Sequence, residues 1–359
     1  MAANTYIKVT ETATPATDWK RVKTIYINDG AAWRNVKSSY VNDGVAWRQV
    51  FAGVFTYTET ISVPTANYNL RTQLTAAGWN GTDDVDASIT INPAIVVYST
   101  ATPTAAFTLS PALPALSTVT LTNAGTIVGK GGAGGSGGDA TLNAATPIPG
   151  KPTTFSYPVT FANGAAGSAG GRGMTIASPI TINNSGGVIA AGGGGGGGGK
   201  SRATTSPLGL QGAVVGGSGG SGGGGSSQSV SVGGPAGTVP TTVPSPGFPA
   251  NYARANGTVG TSGSTSGGAT TAAVTLPKLA PAIPATFVAI GGTGGAGGAR
   301  GAAGSAGGNG SGSTTPAPTA NVESSSTNAG TGGATGVAIQ GYSLITFPVA
   351  GTVTGPTAG

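Results

Sequence analysis

Apolar and polar positions alternate through the first third of the chain. In FTYTETISV, Phe55, Tyr57, Ile61 and Val63 fall on one parity, which predicts a strand with one buried face. A second run, ASITINPAIVVYST (87–100), reads the same way and admits Pro93 only at an edge or a break. Between them lies ANYNLRTQLTAAGWNGT (66–82). There Asn67 can cap a short helix presenting Leu70, Leu74 and Ala77, ended near Gly78 and Gly81. Residues 53–118 are therefore expected to form a small β-rich domain with one short helix, acting as a linker.

The pattern ahead of it repeats. TDWKRVK (17–23), AAWRNVK (31–37) and VAWRQVF (45–51) align at a period of 14, with Trp19, Trp33 and Trp47 in register and Val22, Val36 and Val50 likewise. The second and third units follow Tyr26-Ile27-Asn28-Asp29-Gly30 and Tyr40-Val41-Asn42-Asp43-Gly44. Asp-Gly between β-prone runs is a hairpin signal, because glycine accepts the positive φ of a tight primed turn. Residues 1–52 are thus expected to be short Trp-bearing β-hairpins. Units this small cannot bury a tryptophan alone, so they stack on one another or on a partner. Trp19, Trp33 and Trp47 are the candidate docking residues.

After residue 118 a different pattern begins. VTLTNAGTIVGKGG (119–132) aligns with ITINNSGGVIAAGG (180–193), and a partial third copy is ATFVAIGGTGG (285–295). Each copy is a β-like run, a turn, a short apolar run and then glycine. The tracts are GGAGGSGG (131–138), eight successive Gly (192–199), GGSGGSGGGG (216–225) and GGTGGAGG (291–298) running into ARGAAGSAGGNGSG.

Composition changes how these tracts are read. The 359 residues include 68 Gly, of which only Gly30, Gly44, Gly53, Gly78 and Gly81 precede residue 119. A flexible linker needs neither a recurring apolar lead-in nor a GGX period. Collagen would need imino acids, which the tracts lack. A three-residue period suits the left-handed helix with about 3 residues per turn and about 3.1 Å rise. With glycine at two positions in three, such helices can approach closely and exchange backbone hydrogen bonds. The expected fold class is mainly β plus a polyglycine-II helix bundle, with little α-helix. The expected divisions are 1–52, 53–118 and 119–359.

Charge and chemistry then narrow the function. Charged residues are 7% of the chain, and there is no Cys and no His. That removes imidazole bases, thiol nucleophiles, disulfides and the usual zinc ligands. The net charge of +6 lies entirely in the glycine-rich part, where eight cations face only Asp139 and Glu323. They are scattered, which suits weak steering toward anionic surfaces and not a nucleic-acid patch. The opening residues lack the basic and apolar regions of a secretory signal, and no apolar run of about 18 residues could span a bilayer. A soluble chain without membrane insertion is expected.

Three motifs look like chemistry. Gly194-x4-Gly199-Lys200-Ser201 satisfies a phosphate-loop pattern, but eight consecutive glycines match any glycine pattern, and the adjoining Arg202-Ala-Thr-Thr-Ser-Pro207 is a poor helix start. Asp83, Asp84 and Asp86 lack the spacing of a calcium loop and read as an acidic turn. They also lie outside the repeat scaffold, where a glycosidase pair would be needed. No catalytic, metal or cofactor-binding residues are expected. The segments between tracts carry the aromatics instead. DATLNAATPIPGKPTTFSYPVTFANGA (139–165) holds Phe155, Tyr157 and Phe161, and PAGTVPTTVPSPGFPANYARAN (235–256) holds Phe248, Tyr252 and Arg254. Loops on a rigid scaffold are the usual place for recognition, and aromatic side chains make efficient contacts there.

NYNLRTQLTAAGWNGT (67–82) followed by TVTLTNAGTIVGKGGAGGSGG (118–138) resembles the glycine-rich proteins of tailed-bacteriophage tails. The GGX tracts with variable loops are similar to the receptor-recognising adhesins at the tips of T-even-type long tail fibres. The W-[KR]-x-V repeats also resemble short repeats of phage tail-associated proteins. The resemblance implies a virion protein made in the host cytoplasm. It would dock to other phage tail proteins by its N-terminus and bind a host surface protein or polysaccharide through its inter-tract loops, without catalysis. A homotrimer is compatible with it. The alternative it leaves open is a purely structural tail, collar or decoration protein.

Overall fold

A computed structural model describes residues 7–9, 25–28, 31–36, 38–42, 44–138, 140–142, 146–148, 151–156, 159–200, 202–205, 214–217, 253–255, 270–276, 285–309, 311–315 and 328–359. Their secondary structure is mostly β-strand, with one α-helix among the described residues.

From Phe55 onward the chain visits three parallel sheets in fixed order, five times. The first face is built from Phe55–Ile61, Val85–Ile91, Thr118–Asn123, Ile180–Asn183 and Ile345–Val349. The second takes Thr65–Ala66, Val96–Tyr98, Thr126–Val128, Val188–Ala190 and Thr352–Thr354. The third takes Tyr68–Asn69, Phe107–Leu109, Met174–Ile176, Ile339–Gln340 and Thr357–Ala358. One pass through the three faces is one rung, and the five rungs stack as a β-solenoid.

Alternation along each short strand sends every second side chain inward, and in-register parallel pairing stacks like on like. Ile89 pairs beside Leu121, and Leu121 beside Ile182. Ile127 stacks on Val97 and beneath Ile189, and Phe107 lies between Tyr68 and Met174. All of these except Tyr68, 2% exposed, are fully buried in one continuous core. Each such aliphatic contributes about 1.5–3 kcal/mol. At the corner after the first face, buried Asn123 donates from Nδ2 to Asn184 Oδ1 at 2.7 Å, and Asn184 Nδ2 donates to Ala350 O at 2.9 Å. The repeat seen at 119–132 and 180–193 is thus two successive rungs with asparagine at the same corner.

Residue 118, where the composition changes, is the first residue of a strand that pairs with Val85–Ile91 on one side and Ile180–Asn183 on the other. The boundary expected there does not separate two cores. The run 87–100 is likewise not one strand. It breaks around Pro93, and its halves lie on the first and second faces. Val63 lies past the end of its strand and is exposed.

The α-helix Leu70–Ala76 leaves the first rung and buries Leu70 and Leu74. Its cap is Asn69, whose Oδ1 accepts from Thr72 N at 3.3 Å. Asn67, the expected cap, is held elsewhere: its backbone has φ of 50°, its Nδ2 donates to Thr100 Oγ1, and its Oδ1 accepts from Thr100 N. Gly78, at φ of 97°, ends the helix, and Trp79 comes next, buried beneath Arg71 with Nε1 donating to Asp83 O.

Ahead of the solenoid, Ile25–Asn28 pairs antiparallel with Trp33–Val36, and Ser38–Asn42 with Trp47–Ala52. Trp33 lies opposite Asn28 and Trp47 opposite Asn42, so the two tryptophans hold equivalent places.

Candidate functional site

Two long excursions leave the solenoid at one corner, between the second and third faces. Residues 129–173 interrupt the third rung and residues 191–338 the fourth. Their glycine tracts lie side by side in six described passes: 129–138, 162–173, 191–200, 292–299, 302–309 and 328–338. The passes alternate outward and back. Gly132, Gly135 and Gly138 donate to Gly193, Gly196 and Gly199 at 2.8–2.9 Å, so the first and third tracts run parallel. Gly192, Gly195 and Gly198 donate to Gly171, Ser168 and Ala165, so the second runs opposite to the third. Every such contact repeats at three residues.

The third tract is the centre. Besides the first two, it donates to Ala302, Ser305 and Gly308 of the fifth, and accepts from Gly292, Gly295 and Gly298 of the fourth and from Gly330, Gly333 and Gly336 of the sixth. Gly192 through Gly199 are all buried. The outer tracts turn residues other than glycine to solvent, as at Ser168, Ala303, Ser305 and Thr331. At the centre the glycine is unbroken, and the Cβ position of every residue from Gly192 to Gly199 meets another backbone. A Cβ on Gly195 would lie 1.9 Å from Ala133 O, and one on Gly197 2.0 Å from Gly330 O. The phosphate-loop pattern lies in this tract, and Gly194, Gly195, Gly197, Gly198 and Lys200 all spend their N–H groups on protein carbonyls.

The same register aligns the far ends. Gly138 meets Gly199, Lys200 meets both Gly308 and Gly292, and Gly164 meets Asn328. The described strands next to those ends, Ala140–Leu142, Val159–Phe161, Arg202–Thr205, Ala285–Gly291 and Ser311–Thr315, therefore lie at the end of the tracts remote from the solenoid, within the sequence segments 139–161, 201–291 and 310–327. Those segments carry Lys151, Arg202, Arg254 and Lys278 against Asp139 and Glu323. Their described parts are strands. Ala140–Leu142 pairs with Val159–Phe161, extending the first two tracts, and Lys151–Ser156 pairs with Thr146–Ile148. Arg202–Thr205, Val214–Gly217 and Ala253–Ala255 form one sheet, and Thr270–Leu276, Ala285–Gly291 and Ser311–Thr315 another.

Of the expected recognition residues, Phe155 stands opposite Pro147, Phe161 opposite Ala140 and Arg254 opposite Gly216. All three lie beyond the far ends of the tracts. Tyr157, Phe248 and Tyr252 lie outside the described residues, as does Trp19. Of the docking candidates, Trp33 is 48% exposed and Trp47 70%.

A second cluster escaped sequence reading. Glu59 occupies, in the first rung, the inward position held by Ile89 in the second. Tyr57 and Tyr68 both donate their hydroxyls to Glu59 Oε2, at 2.6 and 2.5 Å. Burial, then the hydrogen bond to the Glu59 carboxylate, pushes both phenols well above the ordinary tyrosine value. Nothing in the alternation of FTYTETI marked Glu59 as inward except its parity. Among the described residues no three acids gather as a metal site, and no helix is long and apolar enough to cross a membrane.

The comparison with curated proteins and that with solved structures gave no match. A family model described as "Phage tail fibre adhesin Gp38" matches residues 56–358, from the first strand of the solenoid to its last. The match covers most of the chain, which therefore belongs to the phage tail fibre adhesin Gp38 family.

Proposed function

We propose that the chain binds a host-cell surface receptor through the segments at the far end of its glycine tracts, and attaches to the virion by residues 1–52. As a tail fibre adhesin it is a component of the bacteriophage virion. The observation that carries the receptor reading is the common level of Gly138, Gly199, Lys200, Gly292 and Gly308, where three sequence-distant stretches of chain leave the tracts. A rigid scaffold with clustered loops is how recognition surfaces are built. The candidates for contact remain Phe155, Tyr157, Phe161, Phe248, Tyr252 and Arg254. The excess of cations in these segments favours an anionic partner, such as a charged surface polysaccharide or an acidic protein loop.

The tracts are read as polyglycine-II helices packed as a bundle. What supports this is the three-residue repeat of their hydrogen bonds and the burial of every residue of 192–199. We divide the chain into a Trp-repeat region of short hairpins (1–52), a solenoid, and a bundle inserted at one of its corners. Trp33 and Trp47, exposed at equivalent positions, suit docking to another tail protein, since large exposed aromatics at protein surfaces mark contact sites. Recognition is by binding and not by chemistry.

Purified protein incubated with susceptible cells is expected to bind them and to block adsorption of the intact phage. Absence of both, with the protein folded, would leave a structural role in the virion. Release of product from purified surface polysaccharide would contradict the non-catalytic reading.

A further inference from the structure

Four of the six tracts run straight into a strand of the solenoid. The first follows Thr126–Val128, the second leads into Met174–Ile176, the third follows Val188–Ala190 and the sixth leads into Ile339–Gln340. Those covalent joins fix how far each tract reaches. The fourth and fifth have no such join. At the solenoid end they are connected only to each other, through a turn in which Ala302 N donates to Ala299 O at 2.9 Å. Their bonds to the rest of the bundle repeat at three residues: Gly298, Gly295 and Gly292 donate to Gly194, Gly197 and Lys200, and Gly304 and Gly307 donate to Gly333 and Gly330. If this hairpin of tracts moved outward by three residues, Gly298 and Gly295 would take the close approaches of Gly295 and Gly292, and Gly304 that of Gly307. Pairing between glycines specifies register weakly, so these bonds fix it only to within steps of three.

What chooses among the steps lies outside the repeat. In the third and fourth rungs the corner after the second face opens into an excursion, but the fifth rung passes from Thr354 to Thr357 through Gly355 and Pro356 alone. The turn of the hairpin rests on that corner. Gly301, at φ of 70°, donates to Ala191 O, and Ala191 N donates to Thr354 O, both at 3.0 Å. A Cβ on Gly301 would lie 2.7 Å from Thr354 C, Thr354 O and Gly355 N. From the other side, a Cβ on Gly355, at φ of 112°, would lie 3.2 Å from Gly301 Cα. Backbone abuts backbone, so a step inward is blocked. A step outward gives up the Gly301 bond to Ala191.

We propose that the corner Thr354–Gly355 is a floor that sets the register of the fourth and fifth tracts, and that Gly301 is the positioning residue that lets them seat on it. At their far ends these tracts lead from Ala285–Gly291 and into Ser311–Thr315, which pair with each other, so tracts and strands form one long hairpin. One register step would lift that strand pair by about 9 Å, three residues at about 3.1 Å each, relative to Gly138 and Gly199. On the receptor reading proposed above, on which the functional consequence rests, the level of the binding end is therefore set by a glycine at the opposite end of the tracts.

Spin-label distances and cell binding test this on the full chain. The chain has no cysteine of its own, so labels on Thr120→Cys and Asn309→Cys, both exposed positions, are unique. The otherwise unaltered chain should give a single distance between them. Gly301→Val should move it by several ångströms, with loss of binding to susceptible cells. A second pair, Thr120→Cys with Thr331→Cys in the sixth tract, should keep its distance, because that tract is joined to Ile339–Gln340. Gly186→Ala is the control for backbone strain, at φ of 75° with open space around its Cβ position, and should change neither distance nor binding. Where valine prevents folding, Gly301→Ala meets the same atoms with a single methyl group. Several distances in the chain with Gly301 intact would overturn the floor. So would an unmoved Asn309 distance in a folded Gly301 variant, which would assign the register to the packing of Ala285–Gly291 against Arg202–Thr205. A moved distance with unchanged binding would keep the floor and overturn the receptor reading of this hairpin.

Discussion

Substituting Gly195 by alanine adds one methyl group where only backbone lies nearby. The new Cβ would be 1.9 Å from Ala133 O, 2.4 Å from Ala133 C and 3.0 Å from Gly134 N. Ordinary contact begins at 3.4 Å, so the first and third tracts must part by about 1.5 Å. No side chain can rotate away to relieve it. The bonds Gly132 to Gly193 and Gly135 to Gly196, both 2.8 Å, flank the site and would break with that movement. Each buried donor left unpaired costs about 1–3 kcal/mol, which gives about 2–6 kcal/mol for the pair. Against a total stability of about 5–15 kcal/mol this is severe. It corresponds to a melting temperature lowered by about 5–20 °C, read by circular dichroism or calorimetry. Ala303→Val, on the exposed side of the fifth tract, serves as the control and should shift melting by no more than about 2 °C. A Gly195→Ala protein that melts with the wild type would refute close packing of the tracts.

Other perturbations probe the solenoid. Asn184→Ala removes the acceptor of Asn123 Nδ2 and the donors to Ala350 O and Thr352 O, and should cost about 2–4 kcal/mol by denaturant unfolding. Asn69→Ala should cost about 1 kcal/mol through loss of the helix cap, whereas Asn67→Ala should leave the cap intact. Stability should fall as pH rises above about 10, because the unfolded chain releases the Tyr57 and Tyr68 protons there while the folded chain, with both phenols raised, retains them. Tyr68→Phe should make that decline shallower, measured as melting temperature against pH. Deleting residues 1–52 should leave a soluble protein missing from assembled particles, scored by its absence from purified virions.

The mainly β character and the scarcity of helix were legible, because alternation at Phe55, Tyr57 and Ile61 and the spacing of Leu70 and Leu74 are local signals. So was the repeat that joins 119–132 to 180–193, which turns out to stack Leu121 on Ile182 and Asn123 on Asn184. The solenoid itself was hidden. Its strands are as short as Thr65–Ala66, and the excursions 129–173 and 191–338 separate residues of one rung such as Val188 and Ile339. No window short enough to show a period spans them. Asn67 and Asn69 are equally good caps by residue type, and only the distant Thr100 decides between them. The aromatic segments were visible as composition, but the common level of Gly138, Gly199 and Gly308 depends on the register between tracts, which glycine, having no side chain, does not encode locally.

Receptor recognition at the tip is tested most directly by binding to susceptible cells. The measurement compares the intact chain with one in which 139–161 and 226–284 are replaced by short Gly-Ser turns, leaving every glycine tract and the five rungs. The account predicts saturable binding of the intact chain, and its loss from a shortened chain whose solenoid still melts as before. Equal binding by both would place recognition elsewhere on the molecule and contradict the account.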